Sequence, residues 1–466
     1  MEIETAYQDA LNYLYSFVDF SLTRSFRYAP ENFDLDRMRE FMQKLGQPHT
    51  AYPVIHVAGT KGKGSISALC ASALRDAGYR VGLYTSPHLQ DYAERIQLNG
   101  QPIPHADLVS LVDEIKPLLE GGTQLTTFEI TTALAFLYFA RQGATAAVFE
   151  VGLGGRLDAT NVVTPIVAVI ASLSYDHTAF LGNTLTEIAT EKAGIIKPGV
   201  PVVASPQKEE ARLVLERIAA ERSSPLYLIG REYLFKQLDH SLNGGQDLQI
   251  WPVADQSKVD EYLETGGSQI WEPTQVNIPL LGYHQVENAA TAYVALQIAR
   301  QRGLAIEESA IRKGFKEVFW PGRFEILQRN PPVVIDSAHN RDSALKLRLA
   351  LDDYFPGMPV ILVFGASEDK DIEGMYAELM PRVSQVIATR SYHPRAKDPE
   401  ELVELAHRYG RPAKLVPTVE DALEEALQLT GDDTLILVTG SLFVAAGARE
   451  TWYQRYKETG KTEKPA

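Results

Sequence analysis

The chain of 466 residues contains one cysteine, Cys70. A single thiol forms no internal disulfide, which excludes a disulfide-stapled scaffold and suits a reducing compartment. Long hydrophobic runs are also missing. The most apolar stretches, such as residues 165–173, fall far short of the roughly 20 residues that a membrane span requires. Met1 is followed by Glu-Ile-Glu rather than by a basic region and an apolar core. No signal peptide is expected, and the sequence reads as cytoplasmic. Positive charge is in deficit, with 45 Lys and Arg against 60 Asp and Glu and a net charge of −15. Such a surface repels polyanions, which argues against nucleic acid or an anionic membrane as a partner. Small anions remain open, because a local cationic pocket overrides the global field. No internal repeat or low-complexity tract is evident. With 45% hydrophobic and 23% charged residues, the composition is that of an ordinary soluble protein, long enough for two large domains or three small ones.

What is present is an alternation of short apolar runs and helical patterns. Strands are expected at 54–58, 81–85, 147–151, 166–173 and 202–205, with helices between them at 65–77, 128–141 and 186–195. Near the start, Leu35, Met38, Phe41 and Met42 stand at helical spacing. This order argues for a mostly parallel sheet covered on both faces. Residues 206–280, with Gly244-Gly245, Gly266-Gly267 and polar–apolar alternation at 248–251, read as a small β-rich antiparallel subdomain. Helices resume at 284–300 and 307–317. A second alternating block follows Trp320-Pro-Gly-Arg, with strands at 333–336, 360–364, 385–389 and 435–438. The expected fold is α/β: a P-loop-type domain over 1–320 and a C-terminal doubly wound, Rossmann-like domain over 321–466. Pro321-Gly322 is the hinge candidate, since both residues disrupt regular elements.

The first chemical signal is Gly59-Thr60-Lys61-Gly62-Lys63-Gly64-Ser65. It follows a buried strand and opens a helix. Glycines let backbone N–H groups turn toward a phosphate, the helix N-terminus adds positive potential, and a lysine reaches the outer phosphates. The spacing is shorter than G-x-x-x-x-G-K-[ST]. The bland reading is a lysine-rich strand-to-helix turn, but the strand, the helix and the two lysines together favour phosphate.

This loop resembles the G-T-N-G-K-G-S segment of folylpolyglutamate synthases and dihydrofolate synthases, members of the Mur ligase superfamily of ATP-dependent amide-forming enzymes. Lys61 stands where that family usually has Asn. The resemblance continues in order along most of the chain. In Tyr84-Thr-Ser-Pro-His-Leu89 it implies Ser86 as a magnesium ligand; the residues alone also allow an ordinary Ser-Pro turn. Glu150-Val-Gly-Leu-Gly-Gly-Arg-Leu-Asp-Ala-Thr-Asn161 is the most specific string. Glu150 closes a buried strand, where open α/β sheets place ligand-binding groups, and a carboxylate there suits Mg²⁺. The residues alone also allow Glu150 to pair with Arg156. In Ser174-Tyr-Asp-His-Thr-Ala-Phe-Leu-Gly182 the resemblance implies His177 as ligand of a second magnesium, although a lone His is more often structural.

Glu191-Lys-Ala-Gly-Ile-Ile-Lys197 resembles the segment with a carbamylated lysine, which would be Lys192. An exposed helical lysine paired with Glu191 or Glu187 is the alternative. Thr126-Thr127-Phe128-Glu129 matches the pterin-binding wall, with Phe128 as the stacking ring and Leu157-Asp158-Ala159 opposite. A core Phe at a helix start, with Thr as N-cap, is the plain reading. His284-Gln-Val-Glu-Asn-Ala-Ala290 implies Asn288 as an ATP contact. Trp320-Pro-Gly-Arg-Phe-Glu325 implies Arg323 on ATP phosphates, for which a planar guanidinium is suited. Asp336-Ser-Ala-His-Asn340 matches D-G-A-H-N-P, keeping Asp336 and His339 but with Ser337 for Gly and Arg341 for Pro. Ser441 would complete the amino-acid pocket.

The resemblance implies an ATP-dependent ligase that joins L-glutamate to dihydropteroate, to the γ-carboxylate of folates, or to both. ATP and magnesium, with two metal sites, would lie in a cleft between domains. Lys63, Lys192 and His339 would be the catalytic residues, in a monomer. A Mur ligase acting on a cell-wall precursor is the first rival, although the loop strand begins at residue 54 and leaves no room for a uridine-nucleotide domain before it. A nucleotide-binding protein without catalysis is the second rival, favoured only by the departures at Lys61, Ser337 and Arg341.

Overall fold

The computed structural model describes residues 2–18, 35–120, 125–265, 271–431 and 433–459. The chain divides into two compact units. The first comprises Met1–Asp239, Gln246–Pro279 and Gln285–Val318; the second comprises His240–Gly245, Leu280–His284 and Phe319–Ala466.

The first unit is built on strands β1 (Val54–Ala58), β2 (Val81–Tyr84), β3 (Ile96–Leu98), β4 (Gln101–Pro102), β5 (Ala146–Glu150), β6 (Val167–Ile170), β7 (Val202–Ala204) and β8 (Leu226–Leu228). They form one sheet in the order β4-β3-β2-β5-β1-β6-β7-β8. From β2 to β8 the pairs are parallel, and the β3–β4 hairpin adds antiparallel strands at the β2 edge. Every residue of β1, β2, β5 and β6 is buried. Such continuous burial is what a parallel sheet covered by helices on both faces demands. One cluster packs Met38, Phe41, Phe136 and Phe139 against Tyr84 and Phe149 of the sheet. Another packs Ile188-side helix residues Ala189 and Ala193, with Leu215 and Ile218, against Ala168, Ile170 and Val202.

The segment 206–280 departs from expectation. Glu209–Glu221 is a helix, and β8 extends the main parallel sheet. The antiparallel sheet is smaller, formed by β9 (Tyr233–Ser241), β10 (Gly245–Pro252) and β11 (Thr274–Ile278). A three-residue strand such as β8 is too short to display a hydrophobic period, which is why its membership of the sheet was not evident. Residues 266–270, including Gly266-Gly267, lie outside the described residues.

The second unit carries β12 (Glu325–Arg329), β13 (Pro332–Ile335), β14 (Val360–Phe364), β15 (Val383–Ala388), β16 (Ala413–Leu415) and β17 (Leu435–Thr439), in the order β12-β13-β17-β14-β15-β16. All pairs are parallel except β12–β13. Helices Arg341–Tyr354, Ile372–Leu379, Pro399–Arg408, Val419–Leu429 and Leu442–Thr459 follow the parallel strands in turn, giving the doubly wound pattern.

Gly322 is not a loose joint. Its carbonyl accepts from both Ser337 N (3.0 Å) and Ser337 Oγ (2.8 Å), and the next amide but one, Phe324 N, donates to Asp336 Oδ2 (2.8 Å). Gly322, at the expected hinge or linker, is thus fastened to the second unit, whose last segment begins at Phe319. Among the described residues no helix is long and apolar enough to cross a membrane.

Candidate active site

Strands β2, β5, β1 and β6 are neighbours, so their carboxyl ends bring four loops together. Ligands in open α/β sheets bind at such carboxyl ends. The loop after β1 makes a tight passage. A Cβ at Gly59 would lie 2.6 Å from Ala171 Cβ, and one at Gly62, whose φ is +87°, would lie 2.2 Å from Asn288 Oδ1. Only glycine serves at either position. The amides of Thr60 and Lys61 donate to Ser172 O at 2.9 and 3.1 Å, so they are spent on holding the loop to the segment that follows β6. The helix then begins at Lys63, two residues earlier than expected, and runs to Asp76; its N-cap, Gly62, makes no side-chain cap hydrogen bond. The first amides of a helix have no intrahelical acceptor. Here the protein supplies no capping side chain, and an anion is the fitting partner for Lys63, Gly64 and Ser65 N–H.

Around this opening stand the other residues drawn from the first unit. Asn288 lies over Gly62, its amide donating to Gln285 Oε1 at 2.9 Å. Glu150 is buried, with Oε1 3.9 Å from Lys63 Nζ and Oε2 accepting from Ser86 N at 3.4 Å. Lys192 is 5% exposed and donates to Gly59 O at 3.0 Å. Burial, followed by the nearby Lys63 ammonium, pushes its pKa down to about 7. The exposed-lysine alternative is thereby removed: Glu191 pairs with Arg156 at 2.9 Å and Glu187 closes the cap at Thr184. The same Arg156–Glu191 pair removes the alternative partner for Glu150.

Glu150 and Ser86 offer the hard oxygen donors that Mg²⁺ takes alongside phosphates and waters. Among the described residues no group of three or more His, Cys, Asp or Glu side chains that could hold a metal ion is gathered. His177, expected at a second metal, has a left-handed backbone (φ +50°) and a half-exposed ring whose Nε2 is 3.9 Å from Asp176 Oδ1. Lys61 Nζ bonds Asp176 Oδ2 at 2.8 Å.

The expected pterin wall is divided by role. Thr126 caps the helix Thr127–Arg141 in a capping box with Glu129. Glu129 also pairs with Arg37 at 3.1 Å, and Thr127 Oγ1 donates to Leu14 O at 2.9 Å. Asp158 accepts from Gly152 N, Leu153 N, Thr160 N and Thr160 Oγ1. These four side chains are therefore engaged in holding the wall. Phe128 is half-buried, and a Cβ at Gly152 would fall 2.4 Å from its Cζ, so the Asp158-pinned turn lies directly on the ring. Leu157 is half-buried and Ala159 buried beside that turn.

In the second unit, β13 and β17 are neighbours, so Asp336, His339 and Ser441 emerge side by side. Asp336 accepts from Phe324 N and Ala338 N, both at 2.8 Å. Burial raises its pKa, against the lowering effect of Arg323. His339 Nδ1 bonds Ser337 O at 2.9 Å; a carbonyl only accepts, so Nδ1 is the donor. Arg323 reaches its neighbour's Gly322 O at 3.5 Å. Ser441 Oγ accepts from Val444 N. The departure at Arg341 is met by an ion pair to Glu378 at 3.0 Å.

Sequence reasoning missed Asp176, the partner of Lys61, and His56, buried in β1 with Nε2 2.8 Å from Thr160 Oγ1. A lone polar residue in the otherwise apolar run Val-Ile-His-Val-Ala was the available signal for His56.

The Mur ligase middle domain matches residues 57–296, and the Mur ligase glutamate ligase domain matches 322–442. The dihydrofolate synthase/folylpolyglutamate synthase of Bacillus subtilis is 34% identical over 96% of this chain and 99% of its own. The chain belongs to this family. Folylpolyglutamate synthase from Thermotoga maritima superposes with a TM-score of 0.80 at 34% identity, covering 99% of this chain and 98% of the other. Escherichia coli FolC in complex with DHPP and ADP gives 0.82 at 31%, covering 96% and 98%. The chain spans about half the length of the relatives from Haloferax volcanii and Halobacterium salinarum named as probable bifunctional folylpolyglutamate synthase/dihydropteroate synthases.

Proposed function

We propose that the chain is an ATP-dependent ligase that adds L-glutamate to dihydropteroate, to the γ-carboxylate of folates, or to both. The observation that carries this is the glycine-capped helix start at Gly62–Ser65 with Lys63 and Glu150 facing each other at 3.9 Å. It is a cationic, hydrogen-bond-donating cradle with a carboxylate at its rim. The acceptor carboxylate attacks the γ-phosphorus of ATP, giving an acyl phosphate and ADP. The amine of glutamate then attacks the acyl carbon, and phosphate leaves as the amide forms.

Little of this is covalent chemistry by the protein, so positioning and charge stabilisation dominate. Lys63 and the amides of residues 62–65 hold the phosphates, with Thr60 and Gly59 shaping the turn. Glu150 and Ser86 would hold Mg²⁺, which would supply charge neutralisation for the phosphates; His177 is assigned to a second metal. Lys192, with its lowered pKa, has a neutral amine available to take up carbon dioxide, forming a carbamate with release of a proton. Phe128 offers the stacking face for the pterin, between Thr126–Glu129 and Leu157–Ala159. Asn288 and Arg323 are assigned to ATP, and Asp336, His339 and Ser441 to orienting the nucleotide and glutamate. The enzyme is assigned to the cytoplasm as a monomer, acting on small molecules alone. Its buried Cys70, whose thiol pKa is raised by burial, fits a compartment where disulfides play no part.

The test is a product assay with the full chain, ATP, Mg²⁺, L-glutamate and either dihydropteroate or tetrahydrofolate. Phosphate and a glutamylated pterin are expected in equal amounts. Phosphate release without any pterin would contradict the reading, and comparing the two acceptors assigns the substrate.

A further inference from the structure

Lys61 is the one residue of the phosphate loop that departs from the family's usual Asn, and its ammonium is engaged inside the protein. Its Nζ lies 2.8 Å from Asp176 Oδ2, with the two side chains 14% and 8% exposed. The other oxygen of the same carboxylate, Oδ1, accepts from His177 N at 3.0 Å and stands 3.9 Å from His177 Nε2. His177 occupies a left-handed conformation, φ +50°, which a non-glycine residue holds only when its surroundings enforce it. Two further bonds join the same segments: Thr60 Oγ1 donates to Ser174 O at 3.1 Å and accepts from Ser174 N at 3.2 Å.

We propose that Lys61 is a positioning residue rather than a phosphate ligand: through Asp176 it fixes the backbone turn and ring of His177 relative to the phosphate loop. A desolvated ion pair of this kind is worth most as a geometric lock, because removing one partner leaves the other charge buried and uncompensated. An Asn at this position carries no charge to hold Asp176, so the departure and the buried pair explain each other. Lys63, which faces Glu150, is left as the lysine for the phosphates.

The kinetic arm of the test rests on the ligase reading; the binding and exchange arms do not. Lys61→Asn and Asp176→Asn should each lower kcat roughly tenfold or more, and the double variant should be no worse than the poorer single one. Lys61→Arg should restore most of the activity. The Kd for ADP measured without divalent cation should stay within about twofold of the wild type in Lys61→Asn, because the interaction lost is not one with phosphate. Amide hydrogen exchange over 174–182 should rise in the same variant. A loss of ADP affinity of about tenfold or more, with exchange over 174–182 unchanged, would overturn the proposal and make Lys61 a phosphate ligand. Additive effects in the double variant would equally overturn it. If the wild type makes no glutamylated pterin, the ligase reading fails, while ADP binding and exchange still decide the role of Lys61.

Discussion

Two helix starts in the first unit make a controlled comparison. The helix Lys63–Asp76 begins at a glycine with no side-chain cap, whereas Thr127–Arg141 begins at Thr126 with a reciprocal capping box to Glu129. Glu129 is in turn held by Arg37. Both helices are long, buried and packed on the same sheet. One end is closed three times over, and the other is open and lined by Lys63. The open end gives up stability of the kind a cap provides, about 1 kcal/mol, and gains a place for an anion. In the proposed function the open terminus takes the phosphates, and the capped terminus is a strut beside Phe128.

The largest expected effect breaks the open end. Lys63→Ala should lower kcat by about 10²–10³-fold, the usual scale for losing one preorganised charge-stabilising donor. Circular dichroism should show the chain still folded, and thermal melting reads separately the cost of leaving the buried Glu150 carboxylate without the ammonium 3.9 Å away. A variant with near-wild-type kcat would remove Lys63 from the chemistry.

The next effect lies behind the open end, at Lys192. Its amine donates to Gly59 O, and its pKa is lowered to about 7. A lowered lysine pKa means the neutral form prevails above about 7 and the cation below it, and carbon dioxide reacts only with the neutral amine. Activity gained on preincubation with bicarbonate should therefore rise as pH increases through about 7, and Lys192→Arg should show no bicarbonate response. An equal response below and above that pH would exclude carbamylation at this site.

The smallest effect is at the closed end. Thr126→Ala should cost about 1 kcal/mol of stability, read as a modest drop in Tm. It should raise KM for the pterin acceptor, because the strut under Phe128 loosens, while leaving the Kd for ADP unchanged. A matching loss of ADP affinity would erase the distinction between the two termini.

Much of this was legible in the sequence because glycines and terminal residues carry their geometry with them. Gly59 and Gly62 mark a passage where a Cβ would collide with Ala171 or Asn288. Glu150 could be placed at a strand end from the apolar run before it. Thr126 followed by Glu129 is a cap signature in its own right. What escaped was long-range pairing. Lys192 sits in a polar helical stretch that gives no hint of burial, because what buries it is the contact with Gly59 across 133 positions. Lys61 and Asp176 are likewise separated by 115 positions, and β8 joined the sheet through only three residues. The Ser337 departure is understood only once its hydroxyl is seen bonded to Gly322 O.

The central claim is that the open helix end activates a carboxylate as an acyl phosphate for attack by glutamate. An acceptor pterin labelled with ¹⁸O in the reacting carboxylate tests it most directly. One labelled oxygen should appear in each phosphate released, because the carboxylate oxygen that attacks the γ-phosphorus departs with it. Phosphate free of label would mean that water, rather than the carboxylate, receives the phosphoryl group, and would contradict the account.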